Sequence, residues 1–128
     1  METKRHFTLE EANRTLKEIH GWVVYLTELK KSVDAKAPDV EQFREKAVYN
    51  VGSPVGTRYV EELINLQNTL GRIQERGVLV KDLNRGLLDF PHMREGQEVY
   101  LCWELGEEAI EYWHEVDAGY AERKKISE

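Results

Sequence analysis

The spacing of apolar residues changes once along this chain, at Val78, and that change restricts the fold more than any other feature. Upstream, apolar positions recur every three or four residues, the period of a helix with one buried face. Downstream they alternate, the period of a strand with one buried face. A chain of 128 residues has room for one domain with a self-sufficient core. The pattern therefore predicts a single α+β domain over residues 1–128, with helical scaffold in 1–77 and sheet plus a last helix in 78–128.

Thr8-Leu9-Glu10-Glu11 has the form of a capping box, in which Thr8 and Glu11 each bond the other's amide and open a helix. Leu9, Ala12, Leu16, Ile19, Val23 and Leu26 then form a seam that Trp22 and Leu29 widen. The helix is expected from about residue 9 to about 32. Pro38 disfavours helical geometry in Ala37, so Asp34 to Pro38 should break it, with Asp39 capping a short helix through about Val48. After a turn-rich connection, Val60, Leu63, Leu66, Leu70 and Ile73 mark a second long helix from about Thr57, returning antiparallel. Gly77 stands where its C-cap belongs.

Val78 to Asp82 is β-prone, Asn84-Arg85-Gly86 reads as a turn, and Leu87 to Phe90 as the partner strand, stopped by Pro91. His92 to Gln97 reads as a second turn. Glu98 to Leu105 alternates, with Val99, Leu101, Trp103 and Leu105 on one face and Glu98, Tyr100, Cys102 and Glu104 on the other. Gly106 leads into a helix expected over Glu107 to Ala118. The fold class that follows is α+β: an antiparallel long-helix hairpin packed on a three-stranded antiparallel meander with a short C-terminal helix.

No apolar run approaches the ~20 residues a membrane span needs, and METKRHFTLEEA lacks the core of a signal peptide. One cysteine cannot close an internal disulfide, so a cytoplasmic, reducing setting is expected. The net charge of -6 is concentrated: residues 96–117 hold Glu98, Glu104, Glu107, Glu108, Glu111, Glu115 and Asp117 and no Lys or Arg. Such a stretch repels phosphate and attracts cations, which argues against a nucleic-acid partner.

On a helix at 100° per residue, Glu107, Glu111 and His114 would share one row, with Asp117 beside it and Asp89 near its start. Three readings compete. The plainest is a solvated acidic face. A second is a divalent metal ion held by Glu107, His114 and Asp117, joined by Asp89. The third is acid–base work by His114 relayed through Asp117 or Glu111. Cys102, flanked by acids, should have a raised thiol pKa and a packing role. Trp103 and Trp113 read first as core and second as pocket walls. Lys81 and Arg85 could pair with nearby acids or hold an anion.

The segments Phe7-Thr8-Leu9-Glu10-Glu11-Ala12-Asn13, Gly86-Leu87, Asp89-Phe90-Pro91, Leu101-Cys102-Trp103, Gly106-Glu107, Tyr112-Trp113-His114 and Asp117-Ala118-Gly119 resemble an uncharacterised prokaryotic family, domain of unknown function 2203. The resemblance singles out Asp89, Glu107, His114, Asp117 and Arg123 together. It departs at Glu104, where Arg is expected, and at Lys125, where Pro is expected. The functional expectation is a non-catalytic ligand-binding or protein-interaction module acting as a homodimer, its ligand touching Asp89, Trp103, Trp113 and Arg123. The alternative is a metal-dependent, hydrolase-like enzyme.

Overall fold

A computed structural model of the chain describes residues 5–43 and 54–126. The architecture is α+β, two long helices against a five-stranded antiparallel sheet. Helix α1 spans Leu9–Phe43 and α2 spans Pro54–Glu75. The strands are β1 (Leu79–Asp82), β2 (Leu87–Arg94), β3 (Gln97–Glu104), β4 (Tyr112–Glu115) and β5 (Lys124–Lys125), and they lie side by side in chain order.

The capping box forms as the sequence predicts. The Glu11 amide donates to the Thr8 hydroxyl at 3.1 Å, and the Thr8 amide donates to the Glu11 carboxylate at 2.9 Å. Those two bonds hold the Glu11 carboxyl below its ordinary pKa. Behind the cap, Ala12, Leu16, Ile19, Val23, Leu26 and Leu29 are all buried. The helices run antiparallel, since Glu18 pairs with Arg76 near one end while Lys36 pairs with Glu62 toward the other. From α2, Leu66 and Ile73 enter the core, but Val60 stays more than half exposed.

Two helix boundaries differ from expectation. α1 does not break between Asp34 and Pro38; Pro38 lies inside it. A proline there removes one ladder donor. Side-chain bonds brace this stretch: Lys30 to Asp34 at 2.6 Å, Lys36 to Ser32 and Ser32 to Glu62. The part of the expected short helix beyond Phe43, and most of the turn-rich connection, lie outside the described residues. α2 begins at Pro54, where the missing amide would have had no intrahelical partner.

The sheet departs further. Pro91 does not end β2, which continues to Arg94 opposite Gln97. The Pro91 carbonyl accepts from the Phe7 amide at 2.7 Å, on the side away from β3. A strand residue's N and O point the same way, so the missing proline donor also faces the outer edge and costs the ladder nothing. The hairpin between β2 and β3 is a two-residue loop, Glu95 and Gly96 both at positive φ, as a type I′ turn demands. Gly86, at φ 63°, closes the preceding hairpin where an added Cβ would sit 2.8 Å from that of Leu105.

The expected helix over Glu107 to Ala118 is absent. Tyr112 to Glu115 instead form β4 along β3, and after a short 3-10 turn (Tyr120–Glu122) β5 pairs with β4. Aromatic residues favour a pleated surface, and β3 offers an open edge of backbone groups that β4 satisfies. The sheet thus has five strands rather than three. One face packs on the helices through Leu88, Phe90, Leu101, Trp103 and Ile110. No described helix is long and apolar enough to cross a membrane.

Loss of the capping hydroxyl in Thr8→Ala should lower unfolding free energy by about 1 kcal/mol in urea denaturation. Glu11 stabilises the fold above the ordinary carboxylate range and loses that effect as pH falls through its lowered native pKa. Glu11→Gln should therefore be less stable than wild type at neutral pH and equal to it in strong acid. A gap that persists at acid pH would contradict this assignment.

Candidate functional site

The face of the sheet away from the helices carries the site. Register sets Asp89 on β2 directly opposite Cys102 on β3, and Tyr100 on β3 opposite His114 on β4. Alternation turns all four side chains to that face. His114 reaches across β3, and its Nε2 lies 3.0 and 3.1 Å from the two carboxylate oxygens of Asp89. Asp89 is 2% exposed, His114 3% and Cys102 0%.

The protonation of the ring follows from its partners. His114 Nδ1 lies 2.8 Å from the Glu115 carbonyl oxygen. A carbonyl only accepts, so Nδ1 carries hydrogen and donates. Nε2 then faces oxygens that, when ionised, also only accept. Something positive has to lie between them, a shared proton or another cation. With both nitrogens engaged, neither is free to act as a general base toward a substrate.

Ligand atoms of Asp89, Cys102 and His114 all lie within 4.8 Å of one another. Burial and then the Asp89 carboxylate push the Cys102 thiol up to about 12, and the opposing pull of Arg123 does not offset them. The direction agrees with the sequence expectation, but the cause is Asp89 and desolvation rather than Glu98 and Glu104. Cys102 is also fully buried instead of lying on an open polar face.

Above the pair lies a hollow of about 170 Å³, with Asp89 and His114 in its lining beside Lys81, Leu87, Tyr100 and Tyr120. That volume is room for roughly five waters. The Lys81 ammonium stands 5.1 Å from the centre of the Tyr100 ring at its wall.

The other residues singled out by sequence are placed elsewhere. Glu107 does not join His114: its carboxylate accepts from Arg123 at 3.0 and 3.1 Å and from the Glu104 amide at 2.7 Å. Asp117 and Glu111 are exposed, and among the described residues no metal-ligating cluster includes Glu107, Glu111 or Asp117. Their common row required a helix, and β4 removes it. Arg123 is an internal strut, its guanidinium 4.1 Å from the Tyr112 ring centre and 4.0 Å from that of Tyr120. Trp103 is core, its ring N–H donating to the Glu107 carbonyl at 3.0 Å. Trp113 is half-buried on the helix-side face, with Arg94 and Lys124 against its ring.

Several acids of the acid-rich stretch meet bases from outside it. Arg85 pairs with Glu104, Arg123 with Glu107, Lys124 with Glu115, and His6 bonds Glu98. Glu104, at the position where Arg was expected, thus meets an arginine from the neighbouring turn; Lys125 stands in β5 opposite Tyr112. Tyr100 and Cys102, on the sheet face away from the helices, are covered within the chain itself.

The family model for uncharacterized conserved protein (DUF2203) matches residues 5–126. The chain belongs to that family. No curated protein and no solved structure matches it. The DUF2203 match spans both helices and the whole sheet, site included, but its description assigns no activity. Function has to be argued from the side chains.

Two outcomes follow for this DUF2203 site. With its thiol pKa near 12, Cys102 should stay unreactive toward Ellman's reagent at pH 8 in the native protein and react at once after denaturation. Fast reaction in the folded state would refute the burial. Asp89→Leu and His114→Phe should each cost about 3–5 kcal/mol, because each strands a buried polar partner. The double variant should recover most of that loss, since paired apolar replacement of a buried ion pair is often neutral or stabilising. A double variant as unstable as the singles would mark the pair as a structural necessity.

Proposed function

We propose that this protein is a non-catalytic binding protein for a small anionic molecule, seated in the hollow over Asp89 and His114. The observation that carries this reading is a buried, paired carboxylate and imidazole that line a cavity. A buried ion pair seldom improves stability over apolar packing, so its presence beneath a hollow favours a binding role. Lys81 supplies positive charge at the wall, and the Tyr100 and Tyr120 rings offer flat apolar surface to the rest of the ligand.

Binding is favoured over acid–base catalysis because both nitrogens of His114 are already bonded. Nucleophilic chemistry is disfavoured because Cys102 is held as a thiol. The metal-dependent hydrolase built on Glu107, His114 and Asp117 draws no support from the positions of Glu107 and Asp117. An unpaired cysteine in the core agrees with a reducing, cytosolic setting.

The test is a titration of isotope-labelled protein with short mono- and dicarboxylates, using amines of matching length as controls. Carboxylates should shift backbone amides of residues 79–82 and 112–120, and Lys81→Ala should weaken binding roughly tenfold, about 1.4 kcal/mol. Shifts produced equally by the amines, or confined to the helices, would defeat the reading.

A further inference from the structure

We propose that Asp89, Cys102 and His114 form a mononuclear site for a divalent transition ion of the zinc class, its fourth position facing the hollow. This deepens the binding-site reading above and rests on it for the occupant of that fourth position.

Four observations converge. First, the Nδ1 hydrogen of His114 is committed to the Glu115 carbonyl at 2.8 Å. That outer bond is the one metal-bound histidines make, and it leaves Nε2 facing the Asp89 carboxylate. Second, Nε2 and the Asp89 oxygens are 3.0 and 3.1 Å apart, a contact that needs a cation between two acceptors. Ligand bonds of about 2.0–2.2 Å at tetrahedral angles would set that nitrogen and oxygen roughly 3.4 Å apart, so this pair needs only a small adjustment. Third, the Cys102 sulfur lies within 4.8 Å of both partners, on the strand between them. Fourth, Asp89 and His114 line the hollow, which provides an entry path and room for a water or an anionic ligand.

The donor set selects the ion. One nitrogen, one oxygen and one sulfur suit zinc and its neighbours, whereas calcium and magnesium call for oxygen cages. The three ligands come from three adjacent strands of one sheet, so the backbone holds them without a flexible loop. On binding, the thiol proton and the proton shared by Nε2 and the carboxylate leave to solvent, and the ion takes their place. Arg123 packs near the sulfur and would help hold the thiolate.

The experiment uses full-length, untagged, reduced protein stripped with a chelator and titrated with Co(II), then with Zn(II). The expected result is saturation at one ion per chain, a thiolate-to-cobalt charge-transfer band, visible bands of tetrahedral cobalt, and their loss on adding zinc. Cys102→Ser should lose the charge-transfer band, His114→Gln should weaken binding at least a hundredfold, and Asp117→Asn should bind as wild type does. Wild-type protein decides the matter if those variants misfold: zinc should shift the His114 Nε2 resonance while Nδ1 keeps its hydrogen. A cobalt spectrum without the thiolate band, a band unchanged in Cys102→Ser, or an Nε2 still protonated in excess zinc would each overturn the site. Carboxylate binding by a protein that takes up neither cobalt nor zinc would sink this proposal and leave the ligand reading standing. Metal binding with no carboxylate response in either form would do the reverse.

Discussion

The structure depends on β3 being buried on both faces. It is the central strand of five, and its run Val99-Tyr100-Leu101-Cys102-Trp103 is buried throughout. Leu101 and Trp103 need the helices; Tyr100 and Cys102 need something else above them. The chain beyond Gly106 supplies it. β4 pairs along the edge of β3, and the segment after it brings Tyr120 and Arg123 over the second face. Antiparallel sheets commonly leave one face to water. Here the segment from Tyr112 to Arg123 closes that face.

Polar groups are concentrated under that cover. Asp89 bonds His114, and Glu107 bonds Arg123, which lies between the rings of Tyr112 and Tyr120. On the other side of Tyr120 sits the Arg85 guanidinium, 4.1 Å from the ring centre, itself paired with Glu104. The arrangement alternates cation and ring, each arginine also holding a carboxylate. Such stacks are strongest where water is partly excluded. They explain why an acid-rich stretch can fold against itself: the balancing charges arrive from the turn before β2 and from the end of the chain.

Much of the scaffold was legible in the residues, because burial there follows period. The Thr8–Glu11 box, the α1 seam and the Gly77 cap all stand where local chemistry requires them. The region after Gly106 was not. Ala109, Ile110, Tyr112, Trp113 and Val116 fit a helical arc on paper, yet Tyr112 and Trp113 are strand formers and β3 had an unfilled edge; tertiary pairing overrode local spacing. Asp89 and His114 do lie together, but the row that joined His114 to Glu107 and Asp117 required a helix where β4 runs. The missed signal was the two-residue turn at Glu95 and Gly96. Counting back from Arg94 opposite Gln97 places Cys102 across from Asp89, a juxtaposition that a six-residue turn conceals.

The strand order, identical to the chain order, has a consequence for assembly. Each strand is laid beside the one made just before it, so most pairings close short loops and cost little chain entropy. Asp89 and Cys102 come together as soon as the β2–β3 hairpin closes, whereas His114 and then Arg123 emerge later from the ribosome. A growing chain therefore holds a half-built pocket, its carboxylate and thiol uncovered, until the segment from Tyr112 to Arg123 arrives to cover them.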